Sequence, residues 1–173
     1  MMLTFLKFFT LLSIFSLSTV HGATSLNAFA KRTLARHNFY REQYGAEPLK
    51  WSPALAKTAK KWAERCVFQH GGGVAGGYGE NIAAGYTDVK AVVDDWVNGI
   101  NESGSYNPSN PTASHFTQVV WKNTKKVGCA KVHCDSLAVF DGSPGNLYVC
   151  EYDPPGNVFP ADNFKKNVGT KEN

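Results

Sequence analysis

The chain reads as an α+β domain, with helices gathered in its first half and strands in its second. Three observations predict this. Three segments before residue 101 carry apolar residues at helical spacing. After Trp121 the apolar pattern shortens into strand-like runs: Val127 to Val132, Leu137 to Phe140 and Leu147 to Tyr152. Four cysteines, an even number, follow an apolar N-terminal run, the pattern of a secreted domain braced by two disulfides.

Met1 to Lys7 carries one positive charge, Phe8 to Val20 is apolar apart from Ser and Thr, and Val20 and Gly22 are small. This predicts a secretory leader over residues 1–22, cleaved after Gly22. The run is shorter than the roughly 20 apolar residues that span a bilayer. No later run is longer, so no membrane insertion is expected. Residues 23–162 are then one domain, and residues 163–173 a polar, disordered tail.

Within the domain, Leu26, Phe29, Ala30, Leu34, His37, Arg41 and Tyr44 share one face of a first helix, which points His37 inward. Gly45 ends it by taking the left-handed conformation. Ser52-Pro53 is a helix cap followed by proline at the first helical position. It opens a second helix with a stripe of Leu55, Ala59, Trp62, Ala63 and Cys66. A third starts near Thr87-Asp88 and is expected to bury Val92, Val93, Trp96 and Ile100. His70 to Gly85 reads as a glycine-laden loop. In Pro154-Pro155-Gly156-Asn157, proline presets a turn and Gly156 is expected to take the positive φ.

Charge and motifs exclude several functions. The net charge is only +4, and the lysines are scattered rather than aligned, so no nucleic-acid partner is expected. Cys129, His133, Cys134 and Cys150 lack the paired C-x2-C spacing of structural zinc sites. As disulfides, the four cysteines allow three connectivities. His70-Gly71-Gly72-Gly73 imitates the oxyanion segment of lipases, but no G-x-S-x-G nucleophile elbow exists. Gly71-x-Gly73-x-x-Gly76 imitates a dinucleotide fingerprint without the strand and helix that would make it one. Asn101-Glu102-Ser103 is a glycosylation sequon on Asn101. Lys31-Arg32 reads as a solvated helix face rather than a processing site. The oligomeric state is encoded in no motif.

Six segments carry a resemblance. His115-Phe116-Thr117-Gln118-Val119-Val120-Trp121 and Tyr148-Val149-Cys150-Glu151-Tyr152-Asp153-Pro154-Pro155-Gly156-Asn157 resemble the two C-terminal signatures of the CAP superfamily. Its members are the cysteine-rich secretory proteins, antigen five and the plant and fungal pathogenesis-related class-one proteins. Leu34 to Arg41, Gly45 to Trp51, Leu55 to Ala63 and Gly79-Glu80-Asn81-Ile82-Ala83 are similar to further family elements, in the family's order. The resemblance implies a three-layer α-β-α sandwich (a CAP, or SCP, domain) with a central antiparallel sheet. It also implies a short helix at His115 to Lys122, where periodicity alone reads a strand, and the pairings Cys66–Cys134 and Cys129–Cys150.

For function, the resemblance implies a central cleft with two histidines and two acidic residues. His37, His115 and Glu80 match three of these. The fourth follows a tryptophan as W-x-x-E, and here that frame reads Trp96-Val97-Asn98-Gly99, although Glu102 one turn on could reach in. No cofactor is required; zinc or magnesium is the divalent cation such residues could hold. Relatives that bind sterols are implied to use the loop before the HFTQVVW block, here with Tyr106, Pro108, Asn110 and Pro111. Fatty acids are implied to take a groove between helices. The expectation is a non-enzymatic, secreted binder of sterols or fatty acids. A metal-dependent hydrolase using the His/Glu cleft, or a protein-binding defence or virulence factor, are the alternatives.

Overall fold

Helix α1 (Ala28–Gln43) starts where the Asn27 side chain accepts the Ala30 amide at 2.9 Å. It stops at Gly45, whose φ is +61°, the left-handed exit expected there. The structure, a computed structural model, describes residues 26–172; the expected leader lies outside the described residues. Strand β1 (Lys50–Trp51) leads into α2 (Pro53–Ala63), capped by Ser52 with proline in the first turn. A one-turn helix, α3 (Gly72–Ala75), precedes strand β2 (Gly79–Ala84) and helix α4 (Val89–Asn98). Short helices α5 (Glu102–Ser105) and α6 (His115–Val119) follow, then β3 (Lys126–Cys134), β4 (Gly145–Asp153) and α7 (Ala161–Asn167).

The four strands form one sheet in the order β1-β3-β4-β2. Pairing is antiparallel for β2–β4 and β3–β4, while the two-residue β1 runs parallel to β3, so the sheet is mixed rather than wholly antiparallel. Side chains alternate across it, as a pleated strand requires. Tyr148, Cys150 and Tyr152 of β4 join one core with Trp96, Phe116 and Phe164 from the helices of that face and Trp121 just after α6. Leu147 and Val149 face the other way, into a second core with Ala59 and Ala63 of α2. This is the expected α-β-α sandwich. The bridges Cys66–Cys134 and Cys129–Cys150 form as the resemblance implied, the first closing on the second core and the second lying in the first core.

Several local expectations are corrected. Gly79 to Ala84 is a strand, not loop: Glu-Asn-Ile-Ala-Ala has little strand propensity, but six residues pair with β4. Leu137 to Phe140 is no strand. Leu137 anchors it, the chain makes a 3-10 turn over Ala138–Phe140, and Asp141 (φ 52°) and Gly142 (φ 82°) reverse it. Ile100 is not buried but 94% exposed, because α4 ends at Asn98 and Ile100 sits at φ 43°, off the helical spacing. In the Pro-Pro turn it is Asn157, not Gly156, that takes positive φ, at 58°. His115 to Val119 is helical, closed by a Ser114/Thr117 capping box.

The expected disordered tail is also corrected. Residues 161–167 form α7, and Phe164 is fully buried with its ring 5.0 Å from that of Trp121. The Lys122 amide donates to Asn167 O (3.0 Å) and the Asn123 amide to its Oδ1 (2.9 Å). A single aromatic anchor and one asparagine order a segment whose composition is otherwise polar. No helix among the described residues is long and apolar enough to cross a membrane.

Candidate binding cleft and groove

Strand β2 lies at the sheet's edge, so its alternating side chains serve both faces of one cleft. Glu80 points to the α2 side. Its Oε1 accepts the Gly71 amide (3.0 Å) and the His70 Nδ1–H (2.9 Å), and its Oε2 accepts the Gly73 amide (2.8 Å). The glycines explain themselves here. A Cβ on Gly71 or Gly72 would lie 2.6 Å from the Trp62 ring or its Cβ, and one on Gly73 would lie 3.0 Å from Gly79 O. The glycine loop therefore wraps Trp62 and turns its amides onto one carboxylate. Burial pushes the Glu80 carboxyl up, but hydrogen bonds from His70, Gly73 and Gly71 outweigh it and hold it below the usual range. The same hydrogen bond raises His70.

A second pair faces it from α5 and α6. Glu102 Oε1 accepts His115 Nδ1–H at 2.7 Å and its Oε2 accepts the Phe116 amide at 2.9 Å. Burial raises this carboxyl, but the bonds from His115 and the Phe116 amide pull it below the usual range. The His115 ring stacks on Trp96, 17° from parallel with centroids 6.2 Å apart. Glu102, beyond the Trp96-Val97-Asn98-Gly99 frame, does reach the cleft: it follows the kink at Gly99 to Asn101 and joins the cleft lining. Its neighbour Asn101, the sequon residue, stays exposed in the left-handed conformation at φ 60°. His70, Glu80, Glu102 and His115 together line a cleft of about 600 Å³.

His37 is not in it. Its imidazole is fully buried, Nδ1 bonding Thr33 O at 2.8 Å and Nε2 bonding the Tyr152 hydroxyl at 2.8 Å. With a carbonyl on Nδ1, the proton sits there, and Nε2 accepts from Tyr152. Burial depresses this imidazole to about 4. Asn81 links it to the cleft from behind, its Nδ2 donating to the Tyr152 hydroxyl (3.3 Å) and to His115 O (3.1 Å). Helical spacing rightly sent His37 inward but could not say where inward leads. His70 takes the cleft position instead. The available signal was its place directly before the glycines that precede Glu80.

Beside the cleft, the Tyr106–Ser114 loop divides its residues. Tyr106 and Pro108 line a groove of about 410 Å³ with Tyr44, Phe116, Val168 and Lys171. Asn110 stays at the exposed tip, its amide donating to Asn107 O at 3.1 Å, and Pro111 is buried. Tyr106 packs edge-on against Phe116, centroids 5.8 Å apart, with its hydroxyl buried and without a hydrogen-bond partner. Burial raises that hydroxyl's pKa. Between α1 and α4, Arg36 spans the Phe39 and Tyr40 rings and pairs with Asp94.

Comparison with known proteins now bears on this geometry. The model of CAP, the cysteine-rich secretory protein family, matches residues 34–152. The chain belongs to this family. Among similar CAP proteins, fruiting body protein SC14 of Schizophyllum commune is 39% identical over 145 residues, covering 76% of this chain and 64% of that protein. Pathogenesis-related protein 1 of Arabidopsis thaliana is 38% identical over 131 residues, covering 70% and 73%. The chain thus spans just under two thirds of the Schizophyllum protein. The solved structure of Schistosoma mansoni venom allergen-like protein 4 superposes with a TM-score of 0.63 at 21% identity, over 86% of this chain and 97% of that one. At that identity it supports the CAP fold alone.

Proposed function

We propose that the protein is secreted and binds small hydrophobic lipids, sterols or fatty acids, outside the cell. The observation carrying this reading is Tyr106, which walls an apolar groove with its ring while its buried hydroxyl has no partner. A lipid pocket needs mainly apolar area with one or two polar anchors, and this groove supplies such area from Tyr44, Tyr106, Pro108, Phe116 and Val168 with Lys171 also in its lining. Secretion is supported by the apolar leader and the two disulfides. All four cysteines are bridged, so none is available as a thiol nucleophile. The test is competition between radiolabelled cholesterol and palmitate on the oxidised protein. Saturable binding of either supports the reading. A folded sample that binds neither removes it and leaves recognition of a protein partner.

A second reading rests on the paired imidazoles. In both His70 and His115 a carboxylate holds Nδ1, the arrangement that orients a histidine for metal binding through Nε2. Among the described residues no three His, Cys, Asp or Glu side chains converge on one point. The residues therefore fit a divalent cation only as two nitrogen ligands, completed by water. Zinc titration followed by calorimetry checks this: binding lost in both His70→Ala and His115→Ala supports it, and binding unchanged in either excludes it.

A further inference from the structure

Between α4 and α5 the chain turns at two consecutive residues in the left-handed region, Ile100 (φ 43°) and Asn101 (φ 60°). Asparagine tolerates that conformation, whereas a β-branched isoleucine is strained in it. The turn separates two neighbouring side chains. Glu102 goes inward to His115 and the Phe116 amide. Asn101 stays exposed and caps α5 without a side-chain hydrogen bond. Ile100, 94% exposed, stands at the lip of the cleft, where nothing in the protein covers it.

The full sequence holds three Asn-x-Ser/Thr frames: Asn101-Glu102-Ser103, Asn107-Pro108-Ser109 and Asn110-Pro111-Thr112. Proline in the middle position bars the last two from N-glycosylation, although Asn107 and Asn110 are both exposed. Only Asn101 is open. The glycosyl transferase acts on extended chain, so the fold has only to leave room for the sugar. It does so here. Gly104 and Ser105 beside the asparagine are exposed. A Cβ on Gly104 would run into Asn101 Oδ1, so the amide lies over that glycine with Nδ2 as its farther atom.

We propose that Asn101 is N-glycosylated and that its first N-acetylglucosamine covers Ile100 at the lip of the cleft. The donor is an oligosaccharide carried on a lipid pyrophosphate. Asn101 Nδ2 bonds to C1 of the N-acetylglucosamine, and the C1–O bond to the pyrophosphate breaks. The lipid pyrophosphate leaves, and Nδ2 gives up one proton to the transferase's base. The apolar face of the sugar ring then removes isoleucine surface from water. Because the kink sends Glu102 the other way, the glycan adds bulk outside without disturbing the His115 pair. The modification rests on the secretory reading above, since the transferase works in the lumen of that pathway.

The full chain is expressed with its own leader in a yeast, and the secreted protein is weighed intact before and after peptide-N-glycosidase. Wild type is expected to carry one removable glycan. Asn101→Gln and Ser103→Ala should carry none, and Ser103→Thr should keep it. Pro108→Ala, which opens the frame at Asn107, should gain a second. Native removal of the glycan should lower the Tm of wild type by about 2–4 °C and that of Ile100→Ser by less. Wild type found in the medium at its bare peptide mass overturns the modification and leaves secretion intact. Chain retained in the cell and unglycosylated overturns both. An equal loss of Tm in wild type and Ile100→Ser overturns the seat on Ile100.

Discussion

Glu151 stands directly across the β2–β4 ladder from Glu80, fully buried, with neither carboxylate oxygen hydrogen-bonded. Burial first, then the Glu80 charge, pushes it up to about 7 from 4.5. As pH rises from 4.5 to 7 the unfolded chain releases a proton that the fold still holds, so stability falls across that window and stays low above it. Glu151→Gln is therefore expected to raise stability at pH 8 by about 1–3 kcal/mol and to change it far less at pH 4.5. Thermal melts at both values check this; an equal gain at both would contradict it. His37 has the opposite sign. Its imidazole, held down to about 4, stays neutral while the unfolded chain takes up a proton below 6.5, so stability drops as pH falls from 6.5 to 4. In His37→Phe that acid-side slope should flatten, while the cleft lining should be unchanged because His37 lies behind it. Motif matching had sent His37 to the cleft. A side chain's direction follows from helical spacing, but its destination depends on which strand packs opposite.

At the scale of elements, Gln118 shows how a motif residue acts. Its Oε1 accepts the Gly156 amide at 2.9 Å and its Nε2 donates to Thr124 Oγ1 at 3.3 Å. It passes between two glycines: a Cβ on Gly79 would lie 1.9 Å from its Oε1, and one on Gly156 would lie 2.7 Å from its Nε2. Helix α6, edge strand β2 and the Pro-Pro turn are thereby pinned together. Gly79→Ala should cost about 2 kcal/mol or more, since Gln118 cannot move aside without giving up both bonds. Adding Gln118→Ala should restore part of the loss in urea denaturation; a purely additive double variant would rule out the clamp. Helices α1, α2 and α4 were legible from caps and spacing, which are local. Strand β2 was not, because its stability comes from β4, about seventy residues later in the chain.

Across the molecule, the two bridges divide the work between the cores. Cys66–Cys134 spans 68 residues and Cys129–Cys150 spans 21. Chain entropy assigns them about 4 and about 3 kcal/mol. Replacing both cysteines of the longer loop by alanine is expected to lower the Tm more than replacing those of the shorter one, as calorimetry would register. The reverse order would mean that packing rather than loop closure dominates. Arg41 adds a different brace: fully buried, its guanidinium donates to the carbonyls of Glu47, Val119, Trp121 and Thr124 at 2.8–3.0 Å. It joins α1 to the segment between α6 and β3, across which no local pattern hints at contact.

The sequence by itself determined the α+β class, the capped helices, the even cysteine count and the motifs that place the chain in the CAP family. These rest on spacing and local chemistry, which a linear chain displays. Tertiary structure alone decided that His70 rather than His37 lines the cleft with His115, that Glu102 turns back into the cleft, and that a polar-looking C-terminus lines the groove beside Tyr106. Each depends on contacts between residues distant in sequence: an edge strand recruited by its partner, a kink that redirects one carboxylate, and one phenylalanine finding a core built by other elements.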